Sequence, residues 1–136
     1  MVKETKLVLP TKRFINNLYV GITNMIIDSL LENIKSFLDS AELIFTKEDY
    51  TSSTILLFKA LFLTLDLIVL RKTGKTPKDH SERFRILQKE FPELYELLDK
   101  FYPVYRETYT LKIEKEICLK IKENVNSIIK KYEIFV

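Results

Sequence analysis

The sequence predicts an all-α fold, an antiparallel up-down four-helix bundle with an N-terminal extension. Three observations carry this. Long stretches repeat apolar residues at spacings of three and four, the period of one helix face. Glycine occurs twice and proline four times in 136 residues, so helix breakers are few and fall between those stretches. The connections are short, which makes consecutive helices antiparallel neighbours. A chain of this length reads as one domain able to bury a core without disulfide or metal staples.

Residues 1–21 read as an N-terminal arm ending at Pro10, then a short helix capped by Thr11 and interrupted by Gly21. Residues 22–136 read as the bundle domain. Its first helix runs from about Ile22 to Phe45, with Ile22, Met25, Ile26, Leu30, Ile34, Phe37, Leu38, Ala41 and Phe45 on one face. Thr46 and Asp49 have the spacing of a capping box, which starts the second helix near Lys47 and carries it to Lys72. Gly74 suits the left-handed stop that ends it. Thr76 as cap and Pro77 in the first helical position begin the third helix. Pro92 disfavours helical geometry at Phe91, so that helix breaks or kinks and resumes from Glu93 to Tyr102. Pro103 makes a second break. The fourth helix starts between Arg106 and Lys112 and presents Ile113, Ile117, Ile121, Val125, Ile128 and Tyr132 on one face.

Composition narrows the function classes. The net charge of +3 is too mild to indicate nucleic-acid binding by itself. Cys118 is the single cysteine, which excludes an internal disulfide and a cysteine-based zinc site. The first residues lack an apolar stretch of signal-peptide length, and a cytoplasmic location is expected. The run Ile55–Leu70 is the most apolar, yet it is short for a bilayer and carries Lys59 and Asp66; the expectation is a buried helix and no membrane. Richness in Lys, Glu and Ile is the bias of thermophile proteins. Arg71–Lys89 holds seven Lys/Arg against two acids, and Asp28–Asp49 holds six acids against two lysines. In an antiparallel bundle these stretches fall at opposite ends, with Lys130 and Lys131 joining the basic end. Such an end can hold phosphates, or it can be a solvated face.

The layout from Ser36 onward resembles the HEPN (higher eukaryote and prokaryote nucleotide-binding) domain family. The resemblance is carried by "AELIFTKEDYTSSTILLFKALFLTL", with its Asp-Tyr turn and a Lys59-Ala60 pair, by "TGKTPKDHSERFRIL", and by "YRETYTLKIEKEICLKIKENV", with Arg and Tyr entering the last helix. It covers about the last hundred residues; each motif is weak alone, and their order carries the case. The resemblance implies a bundle of HEPN type, a homodimer, and a nucleotidyltransferase-type partner protein. Some members cleave RNA with an Arg, a polar residue and a His about one turn later on the fourth helix. Here Arg106 is followed by "ETYTLKI" and by no histidine, so the motif is absent and a non-catalytic nucleotide-binding or interaction module is expected. The alternatives are an RNase toxin of a toxin–antitoxin pair with a divergent site, and a purely structural dimerisation module.

The candidate nucleotide-binding residues are Arg106, Tyr109, His80 and Lys59. Arg106 and Tyr109, one turn apart, suit phosphate contact and base stacking, or else packing at a helix junction. His80 opens the third helix, where the positive helix end favours a neutral ring; it suits a ligand, or a backbone contact. Lys59 and Asp66 share a face two turns apart, which either lines a polar cleft or the dimer seam or pairs each charge with one on a neighbouring helix. The helix between His80 and Arg106 spans roughly 35 Å, too far for a shared phosphate unless the chain folds back at Pro92 or a second protomer intervenes. No catalytic set, metal site or cofactor is expected, and Cys118 reads as core.

Overall fold

The computed structural model describes residues 11–136, and the described chain is helical throughout, without strands. Residues 1–10, the expected arm, lie outside the described residues. Five helices follow one another: α1 (Lys12–Thr46), α2 (Tyr50–Thr73), α3 (His80–Glu90), α4 (Pro92–Glu107) and α5 (Lys115–Lys131).

Helix α2 is the axis of the molecule, touching all four others. It is apolar on nearly every side, and Leu57, Phe58, Leu61, Leu65, Leu67, Ile68 and Val69 are buried in it. A helix of this kind belongs at the centre of a core. By length and composition it could cross a membrane, but 78% of its apolar window is buried inside the protein. Two of its buried hydroxyls turn back on their own helix, Thr54 Oγ1 donating to the Tyr50 carbonyl and Thr64 Oγ1 to the Ala60 carbonyl, while Ser53 Oγ donates across to the Ala41 carbonyl of α1.

The contacts fix the helix directions. Phe45 meets Tyr50 at one end of the α1–α2 pair and the Tyr19 hydroxyl meets the Gly74 carbonyl at the other, so α1 and α2 are antiparallel. The Ile113 N–H donates to Thr51 Oγ1 and Arg71 donates to the Tyr132 carbonyl, so α5 runs in the direction of α2. Phe91 packs on Tyr132, whereas Tyr105 packs on Phe58. Helix α4 therefore climbs back antiparallel to α2, and α3 is a short descending piece beside it. Arg71, Lys72, Lys130 and Lys131 fall at one end, as the charge map anticipates.

Four boundaries differ from expectation, each for a local reason. The break at Gly21 is absent; α1 runs through it, and nothing stands within 4 Å of where a Cβ would be. Thr46 does not cap α2 but ends α1, its Oγ1 donating to the Leu43 carbonyl, and Asp49 caps α2 by accepting from the Ser52 N–H at 3.0 Å. Thr76 and Pro77 precede α3; Asp79 is its cap, accepting from the Glu82 N–H at 2.9 Å, and Asp79 with Glu82 has the spacing of a capping box. Pro103 lies inside α4 rather than ending it. Asp99 and Pro103 are both exposed, so water can take the carbonyl that proline leaves free. Consequently Arg106 belongs to the last turn of α4, and α5 begins only at Lys115. The break at Phe91 occurs as expected, and Cys118 is buried.

Gly21→Ala should strengthen α1, because glycine costs about 1 kcal/mol in a helix interior and the added methyl meets open space. Hydrogen exchange would show roughly fivefold greater protection of the flanking amides; unchanged protection would mean that the helix does not persist there in solution.

Candidate functional site

The site begins with a carboxylate in the core helix. Asp66 is buried among the apolar residues of α2. An unpaired charge there would be costly, so the fold must bring it a partner. Arg83 of α3 is that partner: Nε donates to Asp66 Oδ1 at 2.7 Å and Nη2 to Oδ2 at 3.0 Å, a two-pronged pair on two almost fully buried side chains. The guanidinium also lies 5.0 Å from the centre of the Phe62 ring.

The remaining arm of Arg83 fixes the state of His80, one turn earlier on the same face. Arg83 Nη1 lies 2.6 Å from His80 Nδ1. Arginine has only donors to offer, so Nδ1 must be the acceptor and the proton of a neutral ring sits on Nε2. Burial, and then the charge of Arg83, push the His80 pKa below its ordinary value, against the smaller pull of Asp66 and Asp79. The neutral ring expected from the helix end is thus set by burial and by Arg83.

Around His80 the chain gathers aromatic rings. Phe62 stands 4.7 Å away, Tyr102 5.6 Å and Tyr105 5.7 Å, centre to centre. Phe62 and Tyr105 meet edge to face at 5.0 Å. Tyr105 and Tyr109 share a hydrogen bond between hydroxyls at 2.9 Å. That bond, helped by burial, holds the proton on Tyr105, whose pKa is pushed up to about 12. The expected 35 Å between His80 and the Arg106 region therefore does not exist: the chain reverses at Phe91–Pro92, and His80 packs on the residue next to Arg106.

Beside this cluster a groove of about 380 Å³ opens between the helices. Asn33 and Phe37 of α1, Lys59 and Phe62 of α2, His80 of α3 and Tyr105 of α4 line it. Lys59 is exposed, with Nζ 5.9 Å from the centre of the Phe37 ring. Of the four candidate residues, Lys59 and His80 line one groove, and Tyr109 joins through Tyr105. Arg106 is exposed and does not line the groove. Lys59 and Asp66, although on one helix, serve different surroundings: Asp66 is buried against Arg83, and Lys59 faces the open groove. Among the described residues no group of three or more His, Cys, Asp or Glu is placed to hold a metal.

The candidate residues drawn from the sequence do not include Arg83, Phe37, Asn33 or Tyr105. The signal for Arg83 was present as "HSER", in which His and Arg are three apart on one helix face. Nothing local marks Asn33 or Phe37, because the groove exists only once α1 is laid against α2.

Two outcomes follow. Arg83→Ala should cost about 3–5 kcal/mol in urea unfolding, while Asp66→Leu with Arg83→Met should recover most of the loss, because the lone buried carboxylate carries the penalty. For His80 the lowered pKa means that the unfolded chain takes up a proton more readily than the folded one. Stability is then full above the unfolded pKa and declines as pH falls through it toward the folded value. Thermal unfolding between pH 7.5 and 5 should show this decline, and His80→Gln should flatten it; equal slopes would refute the assignment.

Comparison of the chain with protein-family models, curated proteins and solved structures finds no match.

Proposed function

We propose that the chain is a nucleotide-binding or interaction module of HEPN type, without catalytic chemistry of its own, which works beside a nucleotidyltransferase-type partner. The observation that carries this reading is the convergence of Lys59, His80 and Tyr105 with the Phe37 and Phe62 rings on one groove. Its volume of about 380 Å³ falls within the range of small-ligand sites. An exposed ammonium suits a phosphate, flanking rings suit a base, and a neutral imidazole and a protonated phenol suit hydrogen bonds to the base or sugar. The alternation in direction of α1, α2, α4 and α5 favours the four-helix arrangement that the resemblance implies. The absence of a histidine after Arg106, together with the engagement of His80 Nδ1 by Arg83, favours binding over cleavage.

Calorimetric titration with the four common ribonucleoside triphosphates should show binding by at least one. Lys59→Ala should weaken it by roughly ten- to a hundredfold, the loss of a charge-assisted contact. Phe37→Ala should weaken it through lost stacking. Absence of binding to all four would overturn the reading. RNA incubated with the protein should stay intact; cleavage lost in Arg106→Ala would replace the module with an RNase.

A further inference from the structure

The polar groups of the groove differ in what they can read. Asn33 has an amide that both donates and accepts, and Tyr105 has a hydroxyl that does the same. Neither can tell an acceptor on a ligand from a donor. Lys59 only donates, but its mobile ammonium is a point charge that suits a phosphate rather than the edge of a base. His80 differs from all three. A neutral imidazole donates from one nitrogen and accepts at the other, so its reading depends on where the proton sits.

Arg83 decides that. Its Nη1 lies 2.6 Å from His80 Nδ1. A proton moved to Nδ1 would face an N–H of the guanidinium, donor against donor. The guanidinium cannot turn aside, because Nε and Nη2 are tied to Asp66 at 2.7 and 3.0 Å and its plane is rigid. The proton is thus held on Nε2 from behind.

The other side of the ring is open. His80 Nε2 has no hydrogen-bond partner among the described residues, yet no buried side-chain nitrogen or oxygen there lacks one. Nε2 is therefore accessible, and the groove is the opening that His80 lines. Phe62, nearly buried, stands 4.7 Å from the imidazole and forms the floor. Lys59 and Phe62 are one turn apart on α2, so a nucleotide whose phosphate meets Lys59 sets its base against His80. Uracil and guanine carry a carbonyl oxygen where cytosine and adenine carry an amino group. The oxygen accepts from Nε2–H; the amino group opposes it and leaves a donor unpaired on each side.

We propose that Arg83 is the specificity-determining positioning residue of the groove: by locking the proton of His80 on Nε2, it makes the site select bases that present a carbonyl over bases that present an amino group. This inference rests on the nucleotide-binding reading and adds to it which bases are taken. Calorimetric titration at pH 7.5, where the ring is neutral, should show UTP binding roughly tenfold or more tighter than CTP, and GTP tighter than ATP. Nitrogen NMR of the wild-type chain should find His80 protonated at Nε2 and bare at Nδ1. His80→Gln, whose amide both donates and accepts, should bring the UTP-to-CTP ratio close to one. Asp66→Leu with Arg83→Met leaves His80 in place but frees its proton to move to Nδ1, and should also collapse the ratio. An Arg83 of merely structural importance would lower all four affinities together and leave the ratios unchanged. Ratios preserved in the double variant would therefore overturn the inference. Equal binding of UTP and CTP by the wild type would overturn it too, as would a proton on Nδ1, and both results leave the nucleotide reading standing. Binding of none of the four would overturn that reading, and the base preference with it.

Discussion

The buried pair between Asp66 and Arg83 is the interaction on which the arrangement of the site depends. Helix α3 buries Arg83 and Leu87 and packs Phe84 and Ile86 partly against the core. Apolar packing holds α3 in place without fixing its rotation and height on α2, and the reach of Arg83 to Asp66 adds that constraint. Two hydrogen bonds to one carboxylate constrain both distance and plane, so the pair aligns α3 as well as holding it. Once α3 is placed, His80 has no freedom left, because the third arm of the same guanidinium takes its Nδ1. The turn at Phe91 then returns α4 so that Tyr102 and Tyr105 close on the imidazole. A purely apolar contact could have supplied the same burial, but not the orientation of a ring one turn away.

The sequence was most legible where periodicity speaks for itself. The central place of α2 follows from a run that is apolar on every face, and the inner face of α5 at Ile121, Val125 and Ile128 follows from spacing alone. Even there a neighbour decides the detail, since Ile117 on the same predicted face is 40% exposed. Boundaries were less legible because several residues could serve as caps. Thr46 and Asp49 both have suitable side chains, as do Thr76 and Asp79, and in both cases the carboxylate takes the role. The two prolines act differently. Pro92 stops a helix because Phe91 must leave helical geometry, with φ −139° and ψ 69°, whereas Pro103 is accommodated on a solvent-facing side.

The site itself was legible as residue types and illegible as geometry. Lys59 and Asp66 look equivalent in sequence, two charges in one apolar helix, yet one faces an open groove and the other a buried guanidinium. Their difference depends on what α1 and α3 bring to each side of α2, which no window along α2 contains. The same holds for His80 and the end of α4. A proline announces that a helix ends, but the angle at which the next one leaves is set by packing against α2 and α5. Distance along the chain was therefore a poor guide to distance in space.

Helix α1 has two distinct faces along its length, and this bears on how any partner could engage the protein. From Ile27 onward its apolar side enters the core, and Asn33 and Phe37 form a wall of the groove. Before that, Phe14, Ile15, Leu18 and Met25 are exposed, while Ile22 and Ile26 border the end of α2 at Leu70 and Gly74. The groove wall therefore belongs to the stretch of α1 that packs on the core, and a ligand there would meet side chains whose positions that packing sets.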